Sequence, residues 1–419
     1  MLRNYLLTAY KVFMRRKLFT AINMGCIVLT LVVLMVITAL LDTAFWPSGG
    51  VEGKSGRMLQ VYGMRSQHTN DKGQLIAGIR TSPLGYKTIA RYFKPMTGVE
   101  RVAAITMTNE VSVYQGDRVS RLALRRVDAD YWKIMNFRLR TGRLPDEEDD
   151  RLGRMVAVVN ATTARQLFPD RAAVGERISV EGQAFDIIGV VDDVNHLNAF
   201  ADIWAPLETF PSTNYRYEVT GNFAALLLAR SSADLPRIRA DVERIAKNIE
   251  PVDGQIFGKT TFWADSKLDV FARGLLGRQG DADSGAGRLL AGIAGGMFLF
   301  MLLPALNLVN LNMGRILERG TEIGVRKAFG ATSLQLAGQL VVENVLLCLA
   351  GGLVGLACAQ AALWWLEAAR LSPYLDVHVN LKVFGWGMLI AFLFGLLSGA
   401  IPAWRMSRLD PVHALKGAA

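Results

Sequence analysis

The chain has 419 residues, of which 51% are hydrophobic and 20% are charged, and its formal net charge is +10. That length allows about two to four domain-sized units, and the composition excludes a disordered, collagen-like or disulfide-scaffold chain. Cys26, Cys348 and Cys358 all lie within apolar runs, so the polar part of the chain can form no internal disulfide.

The N-terminal region predicts a membrane anchor. Residues 1–17 are basic and place Leu2, Leu6 and Phe13 at helical spacing, which predicts an amphipathic elbow helix on the cytoplasmic membrane surface. Residues 18–41 carry no charge and exceed the roughly 20 apolar residues that a helix needs to cross a bilayer core, so they predict the first transmembrane helix. A cleaved signal peptide is the alternative, but the apolar run is too long and no small-x-small cleavage site follows it.

Residues 42–288 predict a large α+β domain outside the membrane. Alternating or β-rich segments predict strands at Arg57–Met64, Arg101–Met107, Glu110–Gln115, Arg118–Arg126 and Met155–Val159. Further predicted elements are a helix Ala161–Phe168 capped by Asn160, a hairpin of Arg177–Glu181 and Gln183–Val191 around Gly182, an amphipathic helix Ser232–Ile249, and a mobile tether at Gly277–Gly287.

This domain contains few sequence motifs that indicate catalysis or ligand binding. Asp192, Asp193 and His196 suggest a metal site, but no further spaced ligands accompany them, which favours a solvated loop. Residues 146–150 read DEEDD and predict an exposed acidic loop, and residues 254–260 imitate a phosphate-binding loop with one residue too few between the glycines. The sequon beginning at Asn160 is of a kind that arises often by chance. We therefore predict a non-catalytic chain with no metal site and no directly bound cofactor.

Three more apolar stretches follow, and charge sets their orientation. The predicted segments are 289–314 (second transmembrane helix), 315–334 (cytoplasmic coupling loop), 335–366 (third transmembrane helix), 367–382 (short outer loop), 383–404 (fourth transmembrane helix) and 405–419 (cytoplasmic tail). Basic residues in 1–17, 315–327 and 405–419 supply most of the net charge, which places both termini in the cytoplasm. The positive charge is therefore a topology signal rather than a sign of nucleic-acid binding. A buried core helix is the alternative for any single stretch.

The predicted membrane helices carry features of close packing. Pairs of glycines four residues apart permit close helix contact, at Gly292 and Gly296, Gly351 and Gly355, and Gly395 and Gly399. Pro304 predicts a hinge in the second helix. Ordinary lipid-facing packing without a dimer role is the alternative for any one glycine pair. Apart from Glu343, near the cytoplasmic edge of the third helix, the membrane runs lack internal charge, so the sequence does not favour a polar path across the bilayer.

The loop at 318–332 reads ERGTEIGVRKAFGAT. Thr321 can cap a short helix with Glu322 in its first turn, Arg326 and Lys327 lie near its end, and Gly330 can terminate it. Spacing alone leaves two readings open, a plain interfacial helix or a docking element for a partner.

The same loop resembles the coupling segment of the FtsX/MacB-type ABC transporter permeases. The matching residues are Arg319, Glu322, Ile323, Gly324, Arg326, Ala328, Gly330 and Ala331, and the resemblance continues at Gln339–Glu343, Pro402–Arg405 and Leu409–Val412. The outside domain resembles the MacB-like periplasmic core at Gly142–Leu144, Val156–Asn160 and Ile188–Val191.

The resemblance implies a permease subunit with one N-terminal and three C-terminal transmembrane helices, and with the α+β domain inserted between the first two. It implies a separate ABC ATPase that binds ATP and Mg²⁺. This partner would dock on Glu318, Arg319, Glu322, Gly324, Arg326, Lys327 and Gly330. It also implies a second permease that completes a dimer in a bacterial inner membrane, contact with membrane lipids, and a periplasmic adaptor as a further candidate partner.

The activity implied is mechanotransmission, in which ATPase closure moves the outside domain to drive efflux of a peptide, toxin or amphiphile. Lipoprotein release and control of cell-wall hydrolases are alternatives within the same fold. A membrane sensor that binds a ligand through its outside domain is the alternative from another class. A membrane enzyme has no nucleophile–base pair to support it.

Overall fold

The computed structural model describes residues 17–46, 50–68, 80–115, 118–194, 196–249, 257–278, 283–318, 332–368 and 384–389, together with residues 325, 329, 392, 393 and 396. The chain divides into two compact units. One is Thr43–Leu289, called the head below, and the other is the membrane unit, formed by the segments before and after it.

The helices in chain order are α1 (Lys17–Phe45), α2 (Tyr86–Thr88, continued by a π-helical turn Ile89–Phe93), α3 (Ala129–Ile134), α4 (Glu147–Arg151), α5 (Ala161–Leu167), α6 (Leu235–Lys247), α7 (Lys267–Leu276), α8 (Ala286–Glu318) and α9 (Ser333–Ala368). Short 3₁₀ turns lie at Ser55–Arg57, Leu207–Thr209, Thr213–Tyr217 and Ser232–Asp234.

The strands in chain order are β1 (Met58–Val61), β2 (Gly63–His68), β3 (Arg80–Pro83), β4 (Val99–Thr106), β5 (Asn109–Gln115), β6 (Arg118–Val127), β7 (Leu139–Gly142), β8 (Val156–Asn160), β9 (Arg177–Val180), β10 (Gln183–Val191), β11 (Ile203–Pro206), β12 (Phe223–Ala229) and β13 (Phe257–Phe262).

The main sheet of the head closes partly on itself. Its strand order is β1-β12-β4-β6-β11-β8-β10-β9-β5, with β7 paired to β10. Because β5 pairs with both β9 and β6, the six strands from β6 to β5 form a small barrel. The pairs β8–β10 and β6–β11 are parallel and the other pairs in the barrel are antiparallel. A second, antiparallel sheet has the order β13-β2-β3.

Three apolar clusters hold the head together. The first fills the barrel with residues such as Val113, Val159 and Ile187, and α5 adds Leu167 and Phe168. The second packs α3 against the sheet around Trp204. The third packs α6 against β1, β4 and β12. Burial of large apolar side chains on both faces explains why β12 is a continuous apolar run, FAALLLA, rather than an alternating one.

Several local predictions for the head are confirmed. The predicted strands at 101–107, 110–115, 118–126 and 155–159 correspond to β4, β5, β6 and β8. Asn160 caps α5, since its side chain accepts a hydrogen bond from the Thr163 N–H at 2.7 Å. Glu181 and Gly182 take φ angles of 52° and 80° between β9 and β10, the left-handed pair of a tight hairpin turn. The amphipathic helix is α6, with Ile238 and Val242 buried.

Two predictions are wrong. Arg57–Met64 is two strands rather than one, because the chain passes at Tyr62 from the main sheet to the second sheet. The acidic run 146–150 is not an exposed loop but α4 with its N-cap. Asp146 caps the helix in a capping box with Asp149, where the helix dipole favours acidic side chains. Asp149 is buried against Arg143 and Arg154, and the hydrogen bond from Arg143 is the main reason that its pKa is lowered to about 2.

The predicted tether at 277–287 is anchored at both ends. Gly277 ends α7 with a left-handed φ of 65°. Ser284 donates a hydrogen bond to Asp269 at 2.5 Å, and Arg278 pairs with Asp283 at 2.8 Å. The described parts of this segment are therefore a hydrogen-bonded connection between α7 and α8.

Two of the described helices are long and apolar enough to cross a membrane, at Thr20–Phe45 and Val341–Leu366, and Ala286–Leu302 is a shorter apolar helix. They correspond to parts of α1, α9 and α8. Apart from Lys17, the predicted elbow helix lies outside the described residues, as do the tail and nearly all of the outer loop. Residues 384–389 of the predicted fourth membrane helix are helical.

Candidate functional site

Two segments connect the head to the membrane helices, one after α1 and one through α7 into α8. A buried ion pair joins them. The Lys267 Nζ, in the first turn of α7, lies 2.6 Å from Oε2 of Glu52, seven residues beyond the end of α1. The Glu52 side chain has no exposed surface, and that of Lys267 is only 8% exposed. Since both side chains are removed from water, burying either charge without the other would be strongly unfavourable.

Asn198 connects this ion pair to the main sheet. Its backbone N–H donates to Oε1 of Glu52 at 3.0 Å, and its side-chain amide donates to Gln60 in β1 at 2.6 Å. Tyr131 in α3 donates its hydroxyl to the Asn198 carbonyl at 3.0 Å, and Arg125 in β6 donates to the same oxygen. Burial raises the pKa of Tyr131 well above its ordinary value. Buried hydrogen bonds thus fix the segment after α1 to β1, β6 and α3 of the head.

A second polar cluster holds α7 to α6 and to the start of α8. Asp269 accepts hydrogen bonds from Arg239 of α6 at 2.7 Å, from Ser266 at 2.9 Å and from Ser284 at 2.5 Å. Burial alone would raise the pKa of Asp269, but the hydrogen bonds from Ser266 and Ser284 lower it below its ordinary value. This carboxylate therefore stays charged and holds together the chain on both sides of α7.

The same region of the head contains a cavity of about 640 Å³. Its walls include Arg239, Trp263 and Arg273, with the Arg273 guanidinium 5.3 Å from the centre of the Trp263 ring. Arg273 also pairs with Asp265 at 2.7 Å. Burial raises the pKa of Asp265, and Arg273 only partly offsets that rise. The lining is amphipathic and carries both signs of charge.

The three residues considered as metal ligands each contact other groups in the structure. Asp192 pairs with Arg140, and Asp193 accepts hydrogen bonds from the N–H and hydroxyl of Thr162 at 2.7 and 2.9 Å. His196 faces Glu52 at 3.9 Å, and burial lowers its pKa. Within the described ranges, no cluster of three or more His, Cys, Asp or Glu side chains is arranged to hold a metal ion.

The glycines of α9 lie against α1. A Cβ added at Gly351 would come within 2.9 Å of Ile27, and one at Gly355 within 3.3 Å of Leu31. By contrast, a Cβ at Gly292 or Gly296 of α8 would meet no atom of the described residues within 4 Å. Pro304 lies inside α8, and Gly395 and Gly399 lie outside the described residues.

Only part of the predicted coupling loop is described. Helix α8 ends at Glu318, and Thr332 caps α9 by exchanging two hydrogen bonds with Gln335. Between them the Phe329 N–H donates to the Val325 carbonyl at 3.0 Å, and the Phe329 side chain is 87% exposed. Arg319, Glu322, Gly324, Arg326, Lys327 and Gly330 lie outside the described residues.

Sequence reasoning missed the residues that connect the head to the membrane helices. Glu52 and Lys267 are far apart in the chain, and nothing in a single sequence pairs them. A local signal was available for α7, because Ser266 and Asp269 form a capping box with the spacing that marks a helix start.

The long apolar helices and the large folded head define a membrane protein with an extracytoplasmic domain. The MacB-like periplasmic core domain family matches residues 20–245, and the FtsX-like permease C-terminal family matches residues 294–411. The chain belongs to the FtsX/MacB-type ABC transporter permeases.

Among similar proteins is the uncharacterized ABC transporter permease YknZ of Bacillus subtilis, which is 25% identical over 325 residues covering 77% of each chain. The macrolide export ATP-binding/permease protein MacB of Vibrio parahaemolyticus is 23% identical over 74% of this chain and 45% of its own length, so the chain spans about half of that relative. The periplasmic region of MacB from Actinobacillus actinomycetemcomitans aligns with a TM-score of 0.39 and 13% identity over 54% of this chain and 94% of that structure.

Proposed function

We propose that this permease relays ATP hydrolysis by a separate ABC ATPase into movement of its head. The observation that carries the proposal is the buried Glu52–Lys267 ion pair, which joins the two segments that connect the head to the membrane helices. Packed interiors and paired buried charges resist deformation. A displacement of α1 or α8 is therefore passed to the whole sheet rather than lost in a loose linker.

The proposed topology has four transmembrane helices, at 18–41, 289–314, 335–366 and 383–404, with both termini in the cytoplasm of a bacterial inner membrane. Basic charge at 1–17, 315–327 and 405–419 supports it. A reporter enzyme fused after Asp42 or within 140–150 should be active outside the membrane, and one fused at Gly320 should be active inside. The opposite pattern at either position would contradict the topology.

The ATPase is proposed to dock on the loop 315–334. The proposed charged contacts are Glu318, Arg319, Glu322, Arg326 and Lys327, with Gly324 and Gly330 permitting the turn of the loop. The exposed Val325 and Phe329, four residues apart, would add an apolar contact on one helical face. An exposed phenylalanine between charged residues suits a protein interface better than an aqueous surface.

A second permease is proposed to complete the transporter. The open surface at Gly292 and Gly296 on α8 supports a helix–helix contact there, because small residues permit close backbone approach. The proposed activity is efflux of a peptide, toxin or amphiphile with a periplasmic adaptor. Lipoprotein release and control of cell-wall hydrolases would use the same relay, whereas a ligand sensor would need no ATPase.

The test combines partner capture with a measurement of motion. The chain is purified in mild detergent with an ABC ATPase encoded beside it, and ATP turnover is compared with that of Arg326→Glu and of Arg121→Glu, a matched charge reversal at an exposed site in β6. We expect only Arg326→Glu to lose stimulated turnover.

A spin label at Val119→Cys in each of two permeases would then report head movement by pulsed electron paramagnetic resonance. The distance distribution should change between ATP-bound and ADP-bound states. An unchanged distribution in a complex that hydrolyses ATP would refute the relay.

A further inference from the structure

Helix α7 has one continuous apolar face, which is buried along one side and exposed along the other. Leu268 and Ala272 are buried in a cluster with Ala286, and Phe45 and Leu289 pack against it. The exposed side, called the α7 outer face, carries Phe271 and Leu275, which are 50% and 61% exposed. Two large apolar side chains exposed side by side on a ten-residue helix indicate a contact surface.

The outer face lies where the chain leaves and re-enters the membrane. The rings of Phe271 and Phe45 are 5.2 Å apart, and Phe45 contacts Trp46 at 5.9 Å. The span Thr20–Phe45 has 26 residues, about 39 Å of helix at ~1.5 Å per residue, against a hydrocarbon core of about 30 Å. The last turn of α1 therefore reaches the headgroup region, where aromatic side chains concentrate. Since Phe271 touches this turn, α7 lies at the same depth.

The orientation of α7 is fixed from its buried side. The Lys267–Glu52 ion pair holds its first turn, and the Ser266–Asp269 capping box with the Ser284 hydrogen bond holds the adjoining chain. The helix cannot rotate to bury Phe271 or Leu275 without breaking these contacts. The side chains of the outer face therefore remain exposed and can contact a partner or lipid.

We propose that the α7 outer face rests on the outer leaflet of the bilayer, with Phe271 and Leu275 inserted among the lipid headgroups. The occupant is lipid rather than a soluble protein because α7 is packed between the last turn of α1 and the first turn of α8, the two ends from which the chain enters the bilayer. An amphipathic helix beside a membrane anchor binds the interface through its apolar side chains. This inference rests on the proposed topology.

The test uses the full chain in nanodiscs of phosphatidylcholine and phosphatidylglycerol, with Cys26, Cys348 and Cys358 replaced by serine. A nitroxide is attached at Leu275→Cys. Phe271→Cys is the second site, and Val119→Cys, 57% exposed on β6, is the matched apolar control. Collision with oxygen and with a water-soluble nickel chelate is measured at each site.

We expect the ratio of oxygen to nickel accessibility to be several-fold higher at Leu275 than at Val119. Equal ratios would overturn the proposal by placing the face in water. Low accessibility to both reagents would also overturn it, by showing that protein covers the face.

Labelling of Val119→Cys in intact cells by a membrane-impermeant maleimide separates this result from the topology. If the control is labelled from outside and Leu275 is not in lipid, only the proposed contact of α7 with lipid fails. If the control is protected, the topology fails instead.

Discussion

Replacing Lys267 by methionine should destabilise the head, because it leaves the carboxylate of Glu52 buried without its countercharge. The pair is 2.6 Å apart and almost completely desolvated. The Glu52 carboxylate would keep the Asn198 N–H at 3.0 Å and His196 at 3.9 Å, and neither replaces a buried ammonium. Breaking a buried pair by removing one partner costs about 3–5 kcal/mol. At about 2–4 °C per kcal/mol for a unit of this size, Tm should fall by about 6–20 °C.

The double variant Glu52→Gln with Lys267→Met tests the cause, since it removes both charges and should recover most of the stability. Thermal unfolding of the full chain in nanodiscs is followed through intrinsic tryptophan fluorescence, to which the buried Trp204 of the head contributes. Lys133→Met is the control, because its ion pair with Glu147 is exposed and should contribute no more than about 1 kcal/mol. The reasoning is refuted if Lys267→Met lowers Tm no more than Lys133→Met, or if the loss in the double variant equals the sum of the single losses.

Three other perturbations should separate coupling, helix packing and head stability. Glu322→Ala and Arg326→Glu should each abolish ATPase turnover stimulated by the permease while leaving membrane insertion intact, and copurification of the ATPase with unchanged turnover would count against the docking role. Gly351→Val should destabilise the membrane unit by about 1–3 kcal/mol through overpacking against α1, whereas Gly338→Val in the same helix, where an added Cβ meets no described atom within 4 Å, should not; equal losses of thermal stability in detergent would contradict this. Burial raises the pKa of Asp150 to about 6, above the value of about 4 for an unfolded chain. Its contribution to the free energy of unfolding is therefore greatest below about pH 4 and is lost as pH rises through about 6. Denaturant unfolding should show this decline, and Asp150→Asn should flatten it.

Local signals predicted local structure well. The turn at Gly182, the cap at Asn160 and the apolar face of α6 each depend on residues within a few positions of one another, and each is confirmed. Strand alternation was less informative. One long strand and two short strands in different sheets have the same side-chain period, so the change of sheet at Tyr62 left no mark in the pattern.

The residues that fix the head to its connecting segments were not predictable in the same way. Glu52 acquires its role from Lys267 and Asn198, which lie far along the chain and meet it only through the topology of the sheet. Asp149 shows the same limit, because its acidic neighbours suggested solvent exposure while Arg143 and Arg154 stabilise it in a buried position. Burial of a charge depends on its partners in space.

The buried position of Asn160 affects the choice of expression host. Its side chain caps α5, donates to Asp202 at 3.0 Å and is almost fully enclosed by protein, yet the tripeptide it begins is an acceptor for N-linked sugar. In yeast or insect cells, oligosaccharyltransferase could modify this asparagine as the nascent chain enters the endoplasmic reticulum. A glycan there has no room once β8 and α5 form, so such hosts should yield misfolded material unless Thr162 is replaced, and bacterial expression avoids the problem.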